Sequence, residues 1–272
     1  MVVYFGLLVS LWLANPVFAD APPQSLNLCL DCHAPHYAAL GTCIDCHAGN
    51  PATRRVAIAH TGLIAGRFAA FTLPDNVVTR RGEQRLKDYA CRRCHVSDGK
   101  GNRLAANLDM ATYYATPEEL DAAIKEPVLF MPQFYFTESQ RVELVNALLA
   151  GSRRQDRAAG EPPVVVHFEG EESPQEREFE KQCGACHRSL TERYGGLGTG
   201  LIGPNLSGLL TSFYPQNFGD KQQRWSVENL EKWLKNPRQV RQLTQMPPQV
   251  VKPDAFRQLV REIKPLTPAT LP

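Results

Sequence analysis

The 272-residue sequence predicts a mainly α-helical protein made of several small domains. Three observations support this fold class. Capping boxes that begin at Thr116 and Thr137 mark the starts of helices. A Cys-x-x-Cys-His motif occurs four times. Aromatic residues make up only 8% of the chain, which leaves little for large side-chain cores, so we expect small domains that fold around bound groups.

All eight cysteines fall in the four motifs, in which two cysteines three residues apart are followed directly by a histidine. The copies are Cys29, Cys32 and His33; Cys43, Cys46 and His47; Cys91, Cys94 and His95; and Cys183, Cys186 and His187. Such a motif attaches a c-type haem, because both thiols reach vinyl groups of the ring and the histidine lies under the iron. Zinc or disulfides are the alternative, but a zinc ribbon has no need of a histidine after every cysteine pair. The sequence therefore predicts four covalently attached haem c groups, with the motif histidines as proximal iron ligands.

The formal net charge of the polypeptide is +2, a value that the predicted cofactors would change. Four haems bring two propionates each, so full ionisation places the reduced holoprotein at about −6. The charge of the polypeptide alone therefore indicates neither nucleic acid nor a membrane surface as a partner. Redox partner proteins are expected instead, and no nucleic acid.

Residues 1–19 are predicted to be a secretory signal peptide. An apolar run covers 2–13, Val17 and Ala19 are small residues at the cleavage-determining positions, and Asp20 is the expected mature start. No Lys or Arg precedes the run, so retention as a membrane anchor is the alternative, although the run is short for a bilayer span. Cytochrome c families attach haem outside the bacterial cytoplasm, which implies a periplasmic or otherwise exported location.

Residues 20–72 are predicted to form one module with two haems, since its two motifs begin only 14 residues apart. That spacing leaves no room for a separate globule around each haem. His36 follows His33 by three residues and cannot wrap round to the far side of the first haem, but it can reach the second. His60 follows His47 by thirteen residues and can return to the first. We predict two bis-histidine irons; the alternative is a surface role for His36 and helix packing for His60.

This order of two motifs and two further histidines resembles the dihaem modules of multihaem cytochromes c from anaerobically respiring bacteria. The resemblance covers about 45 residues and is specific for haem rather than for one function. Gly41, Gly49 and Pro51 indicate turns, so we expect mostly loop with short helices.

Residues 73–154 are predicted to form a helical domain around the third motif. One helix is expected from about Gly82 into the motif. The two capping boxes start helices that run to about Lys125 and Leu149, and Gly151 is expected to end the second.

A Met–Pro pair lies between these two predicted helices. The order of helix, motif, helix, Met–Pro loop and terminal helix resembles a class I cytochrome c domain. The resemblance implies that Met131 is the distal iron ligand, with Pro132 fixing the backbone beside its sulfur. Met110 is the competing candidate, for which a role in the core is favoured.

Residues 155–172 are rich in charge, Gly and Pro and are predicted to be a linker. His167 lies in this segment, where a spare histidine is favoured over an iron ligand.

Residues 173–272 contain the fourth motif and resemble class I cytochrome c more closely. A capping box at Ser173 starts the helix that carries Phe179, an aromatic residue that the family packs against its terminal helix. The terminal helix is predicted over 253–263. The resemblance implies Met246, which precedes a proline, as the distal ligand. The sequence thus predicts small haem-centred domains: a dihaem loop and helix module and two class I cytochrome c-like domains.

Distal positions have more candidates than there are irons. Those candidates are His36, His60, His167, Met110, Met131 and Met246. No iron is therefore forced to keep an open position, which favours electron transfer over substrate chemistry. The sequence also contains no HExxH, GxSxG or Gly-rich phosphate-binding motif, so we expect no enzyme activity.

Methionine favours ferrous iron more than imidazole does, so His/Met haems have the higher potential. We expect electrons to pass from the bis-His haems to the His/Met haems, in a periplasmic carrier or in a cytochrome subunit of a respiratory complex. A membrane quinol-oxidising or terminal reductase complex is among the candidate partners. The alternatives are a haem enzyme, such as a peroxidase or a sulfur-compound dehydrogenase with a displaceable axial ligand, and a polymerising cytochrome wire.

Overall fold

The computed structural model describes residues 27–155, 177–219 and 223–265. This part of the chain is 46% helix and 5% strand, which confirms the mainly α class. The predicted signal peptide, most of the predicted linker with His167, and the capping box at Ser173 lie outside the described residues. Among the helices of the described ranges, none has the length and apolar character to cross a membrane.

The N-terminal module consists of short elements joined by loops, as the sequence predicts. Its elements are 3-10 turns at Leu28–Asp31 and Ala38–Leu40, helix α1 (Cys43–His47) and helix α2 (Val56–Ala59). The Thr42 backbone N–H donates to the Asp45 carboxylate at 2.6 Å and so caps α1. Gly41 and Gly49 have φ of +138° and +83°, conformations that side chains rarely adopt, and the chain bends at Gly49. The turn predicted at Pro51 is confirmed.

The middle domain contains four helices and one 3-10 turn. They are α3 (Val77–Asp88), the turn Cys91–Arg93, α4 (Leu108–Tyr114), α5 (Pro117–Lys125) and α6 (Glu138–Arg153). Both predicted capping boxes are formed. The Thr116 hydroxyl accepts from the Glu119 N–H at 3.2 Å, and the Thr137 hydroxyl accepts from the Gln140 N–H at 3.3 Å.

Two predictions for this domain were wrong in detail, and one helix was not predicted. Helix α3 begins before Gly82, because the Asn76 side chain accepts from the Val78 N–H at 2.8 Å and caps an earlier first turn. Helix α6 continues through Gly151 rather than ending there. That glycine lets α6 pass close to Asp98, since a β-carbon would lie 3.3 Å from the Asp98 backbone nitrogen. Helix α4, which carries Met110, was not predicted.

The core of the middle domain is the crossing of α3 over α6. Gly82 makes the close approach possible, because a β-carbon there would overlap the Glu143 carbonyl. The Glu143 side chain is only 6% exposed and accepts from Arg85 Nε at 2.5 Å across the crossing. Buried Leu86 packs beside buried Leu144 at the same contact. A helix pair of this kind supports the third motif, which follows α3.

Residues 64–72 pack against the middle domain, although the predicted boundary assigns them to the N-terminal module. Phe68 is fully buried beside Val145 of α6. Asn146, also fully buried, accepts from the Phe71 N–H and donates to the Arg67 carbonyl, both at 2.9 Å. A buried amide with satisfied hydrogen bonds therefore attaches the module to α6.

The C-terminal domain has helices and one two-stranded antiparallel sheet. Its elements are α7 (Glu178–Gln182), β1 (Ser189–Thr191), β2 (Gly195–Leu197), α8 (Val227–Lys235), α9 (Pro237–Val240) and α10 (Pro253–Ile263). The predicted bounds of the terminal helix are confirmed. Phe179 is fully buried in one cluster with Leu259 and Ile263 of α10, where the resemblance to class I cytochrome c put an aromatic residue.

Candidate functional site

In each of the four motifs, the backbone forms one turn that keeps the two cysteines and the histidine together. In the first, third and fourth motifs the carbonyl of the first cysteine accepts from the N–H groups of the second cysteine and of the histidine, at 2.8–3.2 Å. The second motif is helix α1 itself. All eight cysteine thiols are free of disulfides. Each turn therefore presents two free thiols and an adjacent imidazole, the set of groups that a c-type haem requires.

Three of the motif histidines are held through Nδ1. His47 Nδ1 lies 3.0 Å from the Ile64 carbonyl, His95 Nδ1 2.8 Å from the Ala106 carbonyl, and His187 Nδ1 2.8 Å from the Pro204 carbonyl. A carbonyl only accepts, so Nδ1 carries the proton and Nε2 keeps its lone pair. This arrangement fixes the ring and leaves the Nε2 lone pair as the one available to a metal, the arrangement that is usual for histidine ligands.

The third motif lies on an apolar cavity of about 590 Å³ in the middle domain. Cys91, Cys94 and His95 line it together with Met131 and Pro132. Such a volume is typical of small-molecule and cofactor sites. Folding therefore brings the predicted distal ligand to the same cavity as the predicted proximal one. Its ligation of iron stays a prediction.

Burial changes the ionisation of the groups around this cavity. It raises the pKa of the Cys91 thiol to about 11 and also raises the pKa of Cys94, while it lowers the pKa of His95. The thiols and the imidazole are therefore all neutral near pH 7. Neutral thiols suit conversion to uncharged thioethers, and a neutral imidazole suits an iron ligand, whereas thiolate binding of a metal ion requires deprotonation.

The N-terminal module brings its four histidines together in two pairs. His36 Nε2 lies 3.3 Å from His47 Nε2, and the His33 and His60 ring centroids are 6.1 Å apart. These are the pairs that cross-ligation of the two irons requires. Imidazole nitrogens on opposite sides of one metal lie about 4 Å apart, twice a typical metal–nitrogen bond. The His36–His47 separation is shorter than this and corresponds to a hydrogen bond between the two rings, so ligation itself stays a prediction.

The fourth motif is built into the core of the C-terminal domain. Cys183 is buried there, and burial raises its pKa to about 12. Gly203 lies so close to the His187 ring that a β-carbon at this position would overlap the ring. Met246 packs against the same core cluster as Cys183, and the Trp233 indole N–H donates to its sulfur at 2.9 Å. The site therefore holds Met246 in place through a residue that sequence reasoning missed.

The positions of Met110 in the middle domain and Trp225 in the C-terminal domain also bear on the candidate sites. Met110 lies in α4 and is not among the residues that line the cavity at His95. Trp225 of the C-terminal domain donates its indole N–H to Asn217 at 2.7 Å. Within the described ranges, no group of three or more His, Cys, Asp or Glu side chains is arranged to hold a bare metal ion.

Comparisons with protein-family models, curated proteins and solved structures gave no match to this chain. The function is therefore inferred from the motifs and from the geometry around them.

Proposed function

We propose that this chain is an exported tetrahaem c-type cytochrome that transfers electrons between respiratory redox partners. The observation that supports it most is the apolar cavity in which Cys91, Cys94 and His95 meet Met131, a residue 36 positions further along the chain than His95. A site with two neutral thiols, one oriented imidazole and a thioether matches the ligands of a class I cytochrome c. The same motif occurs at three more places, which extends the proposal to four haems.

When bound, each haem would supply a reversible one-electron exchange between ferric and ferrous iron. The residues of this chain would attach the rings through the cysteines and orient the imidazoles, and mostly apolar side chains would surround the third ring. Histidine pairs in the N-terminal module and methionines in the other two domains would give the sites different potentials. The proposed direction is from the bis-His sites to the His/Met sites.

The proposed location is the periplasm or another compartment outside the cytoplasm, with attachment to the membrane if residues 1–19 are retained. The donor and the acceptor would be redox proteins, a membrane quinol-oxidising or terminal reductase complex among them.

Haem counting tests the proposal. The full chain, produced in a host that attaches haem c, is expected to retain four haems per polypeptide on a denaturing gel and by intact mass. Replacing both cysteines of any one motif by alanine should lower the count by one. A wild-type chain with fewer than four covalent haems would contradict the proposal.

Optical and paramagnetic spectra then separate carrier from enzyme. Two His/His and two His/Met irons, with no carbon monoxide binding after reduction, are expected of an electron carrier. Carbon monoxide binding to one ferrous site of the wild type would favour a haem enzyme instead.

A further inference from the structure

We propose that the C-terminal domain completes the third haem site and holds the third and fourth sites in one rigid unit, an inference that rests on the proposed function. The two domains would then exchange electrons across a built contact, without motion of the segment that connects them. Arg93, one of the two residues between the cysteines of the third motif, is at the centre of that contact.

Arg93 reaches directly into the C-terminal domain. Its Nη1 donates to the Asn205 carbonyl at 3.1 Å, and its guanidinium lies 5.6 Å from the ring centroid of Tyr214. The Arg93 backbone also lies close to the C-terminal domain, since a β-carbon on Gly208 would lie 2.5 Å from the Arg93 carbonyl. A planar guanidinium with a carbonyl acceptor and an aromatic neighbour has a defined orientation.

Asn205 makes a second link, to the Met–Pro loop. Its Nδ2 donates to the Phe130 carbonyl at 3.1 Å, and Phe130 precedes Met131. The Phe130 ring packs on the backbone of Gly196, where a β-carbon would overlap it. Asn205 therefore contacts the proximal side of the third site through Arg93 and the distal loop through Phe130.

The wall of the cavity at the third motif includes one residue of the C-terminal domain. Leu190 of β1 lines the cavity that holds Cys94 and His95. Beside this wall, Asn102 Nδ2 of the middle domain donates to the Thr211 hydroxyl of the C-terminal domain at 2.9 Å. Without the C-terminal domain, the third site would lose part of its apolar wall.

The contact lies next to both proximal histidines. Arg93 is two residues before His95, and Asn205 directly follows Pro204, whose carbonyl holds His187 Nδ1. The Arg93–Asn205 hydrogen bond thus joins the turn that carries His95 to the loop that holds the His187 ring through the Pro204 carbonyl. Electron transfer becomes steeply slower with distance, so a fixed short contact here favours exchange of one electron between the two sites, one iron being oxidised as the other is reduced.

Cleavage of the connecting segment tests this inference on the full-length holoprotein. A specific protease site is introduced within 156–176, and the cut protein is examined by size-exclusion chromatography at low micromolar concentration with haem absorbance as the signal. We expect the two fragments, with three haems and one haem, to elute together and to separate only in denaturant. If the two fragments, with no other substitution, eluted separately in the absence of denaturant, the inference would be overturned.

Variants assign the contact to named residues. Arg93→Ala and Asn205→Ala should each weaken fragment association about tenfold, the equivalent of one lost hydrogen bond or charge-assisted hydrogen bond. Arg92→Ala is the matched control, because Arg92 lies in the same motif but donates to Ser97 in its own domain at 3.0 Å. Equal weakening by Arg92→Ala and Arg93→Ala would contradict the assignment. Haem counts on the same samples separate the two claims: four haems with separated fragments refute only the rigid unit, whereas fewer than four refute the proposed function.

Discussion

Trp233 donates its indole N–H to the sulfur of Met246 at 2.9 Å. The two residues are thirteen positions apart. The hydrogen bond forms because α8, which carries Trp233, and the segment that carries Met246 pack on one core cluster. A hydrogen bond to a thioether withdraws electron density from the sulfur. It would therefore weaken donation to ferric iron and raise the potential of the fourth site.

Trp233→Phe is expected to lower the potential of the fourth haem. One neutral hydrogen bond corresponds to a shift of about 20–60 mV for a one-electron couple. Trp225→Phe serves as the control, since Trp225 packs 5.5 Å from Trp233 but donates to Asn217 instead. A redox titration that resolves the four potentials measures both, and an unchanged potential in Trp233→Phe would refute the tuning role.

Met131→Ala is expected to open the distal position of the third haem. The ferric site should become high-spin and the ferrous site should bind carbon monoxide, because the variant would lack the proposed thioether ligand. Met131→His should instead restore a low-spin site with a potential lower by about 0.1 V or more. Met110→Leu should change neither spectrum, and a spectral change in Met110→Leu alone would exchange the two assignments.

His36→Ala and His60→Ala are expected to affect different haems of the N-terminal module. His36 lies next to His47, so its loss should convert the second haem to high-spin, whereas loss of His60 should convert the first. Double variants, in which the proximal histidine of the same haem is also replaced, assign each paramagnetic resonance signal to one haem. If both single variants changed the same haem, the cross-ligation model would be wrong.

Gly82→Ala is expected to destabilise the middle domain by about 3 kcal/mol or more, because the added methyl group overlaps the backbone of α6 at a tight helix crossing. Gly66→Ala is the matched control. A β-carbon at Gly66 meets no atom within 4 Å, so that change should be neutral or slightly stabilising. Chemical denaturation of the holoproteins compares the two, and equal stability would mean that the crossing is looser than described.

Glu262→Ala is expected to destabilise the C-terminal domain by about 2–3 kcal/mol. The buried Glu262 carboxylate accepts from the N–H groups of Glu178 and Phe179 at 3.0 and 2.8 Å, and alanine would leave both donors buried without an acceptor. Glu262→Gln keeps one acceptor oxygen and should lose less. Thermal unfolding at neutral pH ranks the wild type and the two variants by stability. A glutamine variant less stable than the alanine variant would contradict the expected order.

Local sequence signals predicted the parts of this protein that depend on neighbouring residues. The Thr116 and Thr137 capping boxes each complete two reciprocal hydrogen bonds within four residues, so the helix starts follow from the sequence alone. The Cys–x–x–Cys–His spacing likewise defines its own turn. Gly151 misled the prediction because its role is a close approach to Asp98, a contact that no short window of sequence contains.

The sequence by itself determined the four Cys-x-x-Cys-His motifs, the turn that each one forms and the helical class, because each of these is encoded within a few adjacent residues. Only the tertiary structure decided that Met131 shares a cavity with His95, that His36 pairs with His47, and that Arg93 contacts Asn205. Those relationships join residues that are 11 to 112 positions apart, and they arise from packing of whole elements rather than from local preference.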